Sequence, residues 1–346
     1  MKITAKLLSL LLVAAMLFSL ALVSCGDDET TPETTADPTL NTATSLRVAT
    51  IAGPTGMGMS KMMIDGASNS KYSYSFKTYT DPSLITTEIV GTLAGNEASF
   101  DIAALPTNAA SNVYNKTSGA FKVLALNTLG VLYILDNGTS VTSVESLRGK
   151  TIGVSVPGST TEHILRYILS ENGIDPEKDV TLQFFDTHDT LAAQVISGNI
   201  EIAMLPEPKV SAVKAQNKST RVALDLTEEW DKISDEPLVQ GCVVVNTTFA
   251  EKNPELIAAF LADYKASAEY IANPANLDDA AAKIVEAGII PKAPIAKSAL
   301  PNSNIVLITG DEMKSTLTAF LTVLHGYAPA SIGGSVPSDD LYFISK

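Results

Sequence analysis

Two short stretches carry backbone and hydroxyl groups suited to holding a small molecule without covalent chemistry. The first is Gly53-Pro54-Thr55-Gly56-Met57, whose glycines let a backbone approach a ligand closely. The second is Gly158-Ser159-Thr160-Thr161, which offers hydroxyls and free amides where a helix begins. Ser159, Thr160 and Thr161 suit two roles, ligand contact or plain capping of that helix. Met57 is a candidate by its place in the loop, although Met57, Met59, Met62 and Met63 also have the spacing of a helix packing into a core. Further candidates follow other apolar runs: Thr80 and Asp81, Thr107 and Asn108, Asp186 and His188, and Glu207. Around them stand Asp189 and the rings of Tyr79, Phe184, Phe185 and Trp230, but no Arg or Lys falls within these loops. Strong anions are usually met by Arg, so the pattern points to a neutral or amine-bearing ligand, a heteroaromatic ring that a carboxylate bonds and an aromatic side chain stacks on. Helix capping by the acids and burial of the rings is the alternative use of the same residues.

Other chemistries lack their residues. Gly53 to Ser60 has no Gly-Lys-Ser/Thr ending, which removes a nucleotide phosphate loop. His163, His188 and His325 are isolated, without the spacing of a metal site, and no Ser-His-Asp order is recognisable. Neither a cofactor nor a metal is expected. The formal charge of -14 argues against nucleic acid, which needs a basic surface.

The elements that position these loops follow one programme written twice. Residues 47–52 read as a strand, break at Gly53-Pro54, and lead to a helix. Residues 151–156 do the same and break at Pro157-Gly158 before a helix around Ile164, Leu165, Ile168 and Leu169. Strand 76–80 with Asp81 matches strand 182–185 with Asp186. Each is followed by a helix ending near a Gly-Asn pair, Gly95-Asn96 and Gly198-Asn199. Then Asp101-Ile102-Ala103-Ala104-Leu105-Pro106 matches Glu201-Ile202-Ala203-Met204-Leu205-Pro206, and strands near 123–126 and 222–226 close the copies. Alternating strands and helices predict two α/β lobes, each a mostly parallel sheet flanked by helices. A further strand at 238–246 and helices near 254–271, 277–287 and 312–324 return the chain to the first lobe. The expected boundaries are 46–136 plus 239–346 for the first lobe and 137–238 for the second, with hinge crossings near 135–141 and 235–240. In open α/β sheets ligands bind beyond the carboxyl ends of the strands, so the loops named above should face one cleft.

The amino terminus supplies an address. Lys2 and Lys6 precede an apolar run from Leu7 to Val23, and Leu22-Val23-Ser24-Cys25 closes it. This is a signal peptide over residues 1–24 with a lipobox, in which Cys25 takes a thioether-linked diacylglycerol. Each buried methylene of an acyl chain contributes about 0.8 kcal/mol, so two or three chains hold the protein at the membrane. Residues 25–45, rich in Thr, Asp, Glu and Pro, read as a disordered tether. Cys242 is then the one remaining thiol, so no disulfide forms.

Lipobox, tether, lobe, inserted lobe and return together resemble the solute-binding lipoproteins of bacterial ABC importers. Within them the chain is similar to the nitrate, sulfonate and thiamine-precursor (NMT1/THI5-like) group with the type II two-lobe periplasmic-binding fold. The residues carrying the resemblance are the lipobox, Gly95 to Pro106, and Leu147-Arg148-Gly149-Lys150-Thr151-Ile152-Gly153-Val154. The resemblance implies an extracytoplasmic, lipid-anchored monomer that traps a small organic solute by hinge closure and delivers it to an ABC permease, and no enzyme activity. Two alternatives remain: an enzyme on the same fold, like those of the menaquinone and thiamine pathways, and a ligand-sensing lipoprotein.

Overall fold

The computed structural model describes residues 44–92 and 99–344. The signal peptide, Cys25, the tether through residue 43 and the Gly95-Asn96 pair lie outside the described residues. The described residues form one compact unit.

Eleven strands are described: β1 (Thr44–Ile51), β2 (Tyr72–Tyr79), β3 (Ile102–Pro106), β4 (Phe121–Leu129), β5 (Leu132–Asp136), β6 (Thr151–Ser155), β7 (Thr181–Phe185), β8 (Ile202–Pro206), β9 (Arg221–Asp225), β10 (Val239–Asn246) and β11 (Ile305–Ile308). They make a six-stranded sheet in the order β11-β4-β10-β3-β1-β2 and a five-stranded sheet in the order β7-β6-β8-β5-β9. Strands β3 and β10 are central and covered on both faces, which is why Ile-Ala-Ala-Leu and Val243-Val244-Val245 read as unbroken apolar runs. In each sheet the strands of the repeated programme run the same way, and the reversed strands are those brought in after a crossing: β10 and β11 in the first sheet, β5 in the second.

Two boundaries differ from the sequence expectation. β1 begins at Thr44, whose amide donates to Lys71 carbonyl at 2.9 Å, so pairing with β2 starts inside the segment read as tether. Leu132–Asp136 belongs to the second sheet, pairing antiparallel with β8 and β9, so the chain leaves the first sheet at Gly130-Val131 rather than near 135–141. Gly130 is required at this step because a β-carbon there would lie 2.1 Å from Thr227 Oγ1. The return passes through residues 231–238 into β10. Gln240 Oε1 accepts from Val131 N at 2.6 Å, so the two crossings are hydrogen-bonded to one another.

Helices cover both sheets by burying one face at three- and four-residue spacing. In Pro254–Ala272 that face is Leu256, Ile257, Phe260, Tyr264, Ala268 and Ile271, with Pro254 at the first helical position where its missing N–H costs nothing. Gly310–Tyr327 buries Met313, Leu317, Phe320, Leu321 and Leu324 and touches both halves of the molecule. Phe320 packs at a tilt against Trp230, with ring centres 5.7 Å apart, and Tyr327 meets Tyr167 edge to face at 6.5 Å, both partners following strands of the second sheet. Trp230 is fully buried and donates Nε1–H to Glu236 carbonyl at 2.7 Å. It is therefore an element of the core and not an open stacking surface.

Candidate functional site

The carboxyl ends of β1 and β8 meet across the junction of the two sheets. A β-carbon on Gly53, after β1, would lie 3.8 Å from Pro208 Cδ, after β8. Tyr133 Oη donates to Asn302 carbonyl at 3.1 Å, and Ser211 Oγ lies 3.0 Å from Ser298 Oγ.

On the first-sheet side nearly every candidate is engaged by the fold. Gly53 has φ 115°, a conformation that needs glycine, and its carbonyl accepts from Gly56 N and Met57 N at 3.0 and 3.1 Å. Gly56 is confined, since a β-carbon would sit 2.4 Å from Ile51 carbonyl. Pro54 and Thr55 are half-buried, and Thr55 carbonyl accepts from Asn127 Nδ2 at 3.0 Å. Met57 is fully buried among Ile271, Ala280, Ile284 and Ile289, which is the core role its spacing allowed. Thr107 is buried with Oγ1 donating to Val239 carbonyl at 3.2 Å, so it fastens β3 to the return crossing. Asn108 carbonyl accepts from Asn112 Nδ2 at 3.2 Å. Thr80 is exposed, and exposed Asp81 caps Pro82–Gly91 by accepting from Ser83 N at 2.8 Å.

The second-sheet side is arranged differently. The turn after β6 holds Val156 at φ 57° and Gly158 at φ 77°. A β-branched residue in the left-handed region costs about 1–3 kcal/mol, and such strain concentrates at functional sites. Gly158 N donates to Glu162 Oε2 at 2.7 Å. Ser159 stands at the cap position of Thr160–Glu171 but makes no side-chain cap bond; its Oγ meets Thr161 Oγ1 at 2.7 Å instead. Thr160 is only 4% exposed, and its Oγ1 has no hydrogen-bond partner among the described residues. His163 Nδ1 is likewise buried without a partner, and burial lowers the pKa of its ring.

Beside this turn, His188 opens the helix His188–Ile196, which Thr187 caps by accepting from Thr190 N at 3.1 Å. His188 Nδ1 lies 2.5 Å from Ser155 Oγ, the last residue of β6. Burial, and then the positive charge of Lys209, push the His188 pKa down to about 4 against the pull of Asp189, so the ring is neutral at pH 7. Lys209 and Asp189 form an ion pair with one another. Asp186 is exposed. Glu207 is 2% exposed and accepts from Ser211 N at 3.1 Å and Ser211 Oγ at 3.0 Å. Burial raises its carboxyl pKa, and the Ser211 bonds only partly offset this.

Of the candidate rings, Tyr79 is buried with Oη donating to Glu88 Oε1 at 2.8 Å, Phe185 packs against the second-sheet core, and Phe184 is exposed on the edge strand β7. Sequence reading named His188 and Glu207 but missed Ser155, Lys209, Ser211 and Asn127. Lys209 stands one residue beyond the loop in which a cation was sought. Ser155 ends its strand two residues before the break at Pro157, which is the signal that could have found it. Among the described residues no group of His, Cys, Asp and Glu could hold a metal, and no helix is long and apolar enough to cross a membrane.

Residues 118–276 match the family model described as NMT1/THI5 like. The match runs from β4 through the whole second sheet and back along the return strand into the helix Pro254–Ala272. No curated protein matches the chain. Among solved structures, an ABC transporter from Parabacteroides distasonis is 22% identical with a TM-score of 0.72, covering 88% of this chain and 100% of its own. The periplasmic aliphatic sulphonate binding protein SsuA from Escherichia coli is 16% identical with a TM-score of 0.69, over 87% of this chain and 92% of its own. The periplasmic nitrate-binding protein NrtA from Synechocystis PCC 6803 is 16% identical with a TM-score of 0.59, over 87% and 84%. At these identities the likeness speaks for the fold. The chain thus has the type II fold of the periplasmic binding proteins of ABC transporters, and residues 118–276 of it are similar to the NMT1/THI5-like family.

Proposed function

We propose that this chain is an extracytoplasmic solute-binding lipoprotein of an ABC importer, anchored through Cys25, that traps a small organic solute between its two lobes and delivers it to a permease. The observation that supports it most is the pair of sheets whose strand ends face one another and are joined by two hydrogen-bonded crossings. Such a frame closes on a ligand by bending at the crossings, and contacts from both halves stabilise the closed form. The lobes are 46–131 with 239–346, and 132–238, and the protein acts as a monomer without enzymatic turnover.

The solute is a neutral heteroaromatic compound. Three of the four candidate acids that would favour an amine are otherwise engaged, since Asp81 caps a helix, Asp189 pairs with Lys209 and Glu207 bonds Ser211, while Asp186 is exposed to solvent. A thermal-shift screen of purified protein against vitamins, pyrimidines, sulfonates, amines and oxidised aromatics tests this. A ligand at a hundred times its Kd adds about 2.7 kcal/mol of stability and raises Tm accordingly. Stabilisation by a neutral ring compound is expected. Micromolar binding of sulfonate or nitrate alone would rule out the solute class, and catalytic turnover of a bound compound would rule out the transport role. Metabolic labelling with radioactive palmitate, lost in Cys25→Ala, tests the anchor.

A further inference from the structure

The Ser155–His188 contact determines more than a distance. Ser155 is 1% exposed, and its Oγ has no hydrogen-bond partner among the described residues other than His188 Nδ1. A hydroxyl carries one hydrogen, which must reach an acceptor if the group is buried. Were Nδ1–H the donor, the serine hydrogen would be stranded away from water, at a cost of about 1–3 kcal/mol. The serine therefore donates and Nδ1 accepts. A neutral imidazole that accepts at Nδ1 carries its proton on Nε2. That Nε2–H has no protein partner among the described residues, and the ring sits at the carboxyl ends of the paired strands β6 and β7.

Protonating the ring would put a hydrogen on Nδ1 as well, which reverses the serine bond and strands the hydroxyl hydrogen away from water. The charged groups around the ring act in the same sense on balance, since Lys209 opposes a second cation more strongly than Asp189 attracts one. Ser155 and Lys209 thus hold the ring in a single protonation state and a single tautomer.

We propose that Ser155 locks His188 as a neutral, Nε2-protonated imidazole whose free N–H donates to an acceptor atom of the bound solute, a carbonyl oxygen or ring nitrogen of a neutral heteroaromatic compound. This rests on the cleft being the solute site. His188 is the contacting residue, and Ser155 is a positioning residue that acts through it. An alkylammonium group has no lone pair to offer and is refused at this point, which narrows the solute beyond its charge.

The test has two arms on the full mature chain. In the first, long-range proton–nitrogen correlation of uniformly nitrogen-15-labelled protein reads the His188 ring, assigned by its loss in His188→Gln. A pyridine-like Nδ1 and a pyrrole-like Nε2 are expected at pH 7 and unchanged at pH 5.5. Ser155→Ala should mix the tautomers and move protonation toward the ordinary value of about 6.5. A pyrrole-like Nδ1, or an imidazolium at pH 7, in the unaltered protein overturns the lock whatever the protein binds. In the second arm, calorimetric titration uses cytosine, nicotinamide, ethanesulfonate, nitrate and ethylammonium as probes. A neutral ring probe should bind, weaken about tenfold in His188→Phe, and recover in part in His188→Gln, which keeps an N–H donor. Equal affinity in His188→Phe, or binding of ethylammonium alone, overturns the contact. Binding of no probe counts against the cleft reading and removes the contact with it, while the tautomer result stands separately.

Discussion

The loops after β1 and β3 belong to the first copy of the programme and the turn after β6 to the second, and they use their polar groups in different ways. In the first copy Thr107 fastens a carbonyl of the return crossing, Thr55 and Asn127 are bonded to each other, and Met57 is core. In the second copy Thr160 Oγ1 and His163 Nδ1 are unpartnered among the described residues, Ser159 leaves its cap bond unmade, and Val156 holds a strained conformation. A fold gains nothing from a buried polar atom without a partner, and such atoms concentrate where a partner arrives from outside. Unpartnered buried hydroxyls also occur in the first half, at Thr50 and Ser60, so the difference lies in the loops themselves: those after β1 and β3 are bonded into the fold, and the turn after β6 leaves polar groups for a ligand.

The comparison is broken most directly by removing a first-copy residue. Met57→Ala should lower the unfolding free energy by about 3 kcal/mol, because Met57 is fully enclosed and truncating a buried Met costs 2–5 kcal/mol. Urea denaturation with an unchanged slope would measure it. A loss below about 0.5 kcal/mol, the size of an ordinary surface change, would mean that the loop is not packed into the fold.

A smaller effect is expected of Thr107→Val, which keeps the shape and deletes the hydroxyl. Val239 carbonyl then loses a donor at the point where the return crossing enters the first sheet, for about 1–2 kcal/mol. Because the lost bond ties β3 to a crossing, amide exchange should quicken at Val131 and Gln240 more than in the sheet centre.

How much of this was legible in the sequence follows from the range over which each feature is specified. The repeated strand, break and helix could be read because each depends on neighbouring residues: Gly53 and Gly158 take the left-handed backbone their turns need, and the apolar runs of β3 and β8 are continuous. β5 could not be separated, since Leu132–Asp136 continues the apolar run of β4 with one glycine between them. What makes that glycine a crossing is Thr227, 97 positions later. The roles of the candidate residues were still less visible. Met57, Thr107 and Trp230 were spoken for by partners distant in the chain, and the serine that orients His188 lies 33 residues before it.

The sharpest form of the comparison uses the same chemical change on the second copy. Thr160→Val is isosteric and removes a hydroxyl that bonds no described residue, so no hydrogen bond is lost and no acceptor is left behind. Desolvating that hydroxyl works against folding, and replacing it with a methyl group should leave stability within about 0.5 kcal/mol or raise it slightly. Paired with Thr107→Val, the two variants isolate the partner as the one difference, since both threonines are buried and both follow a strand of the repeated programme. Chemical denaturation of the two side by side measures it. Equal losses would show that Thr160 is as much a part of the fold as Thr107 and would remove the asymmetry between the loops. A stable Thr160→Val that also loses the thermal shift given by a bound solute would place the missing partner on the solute itself.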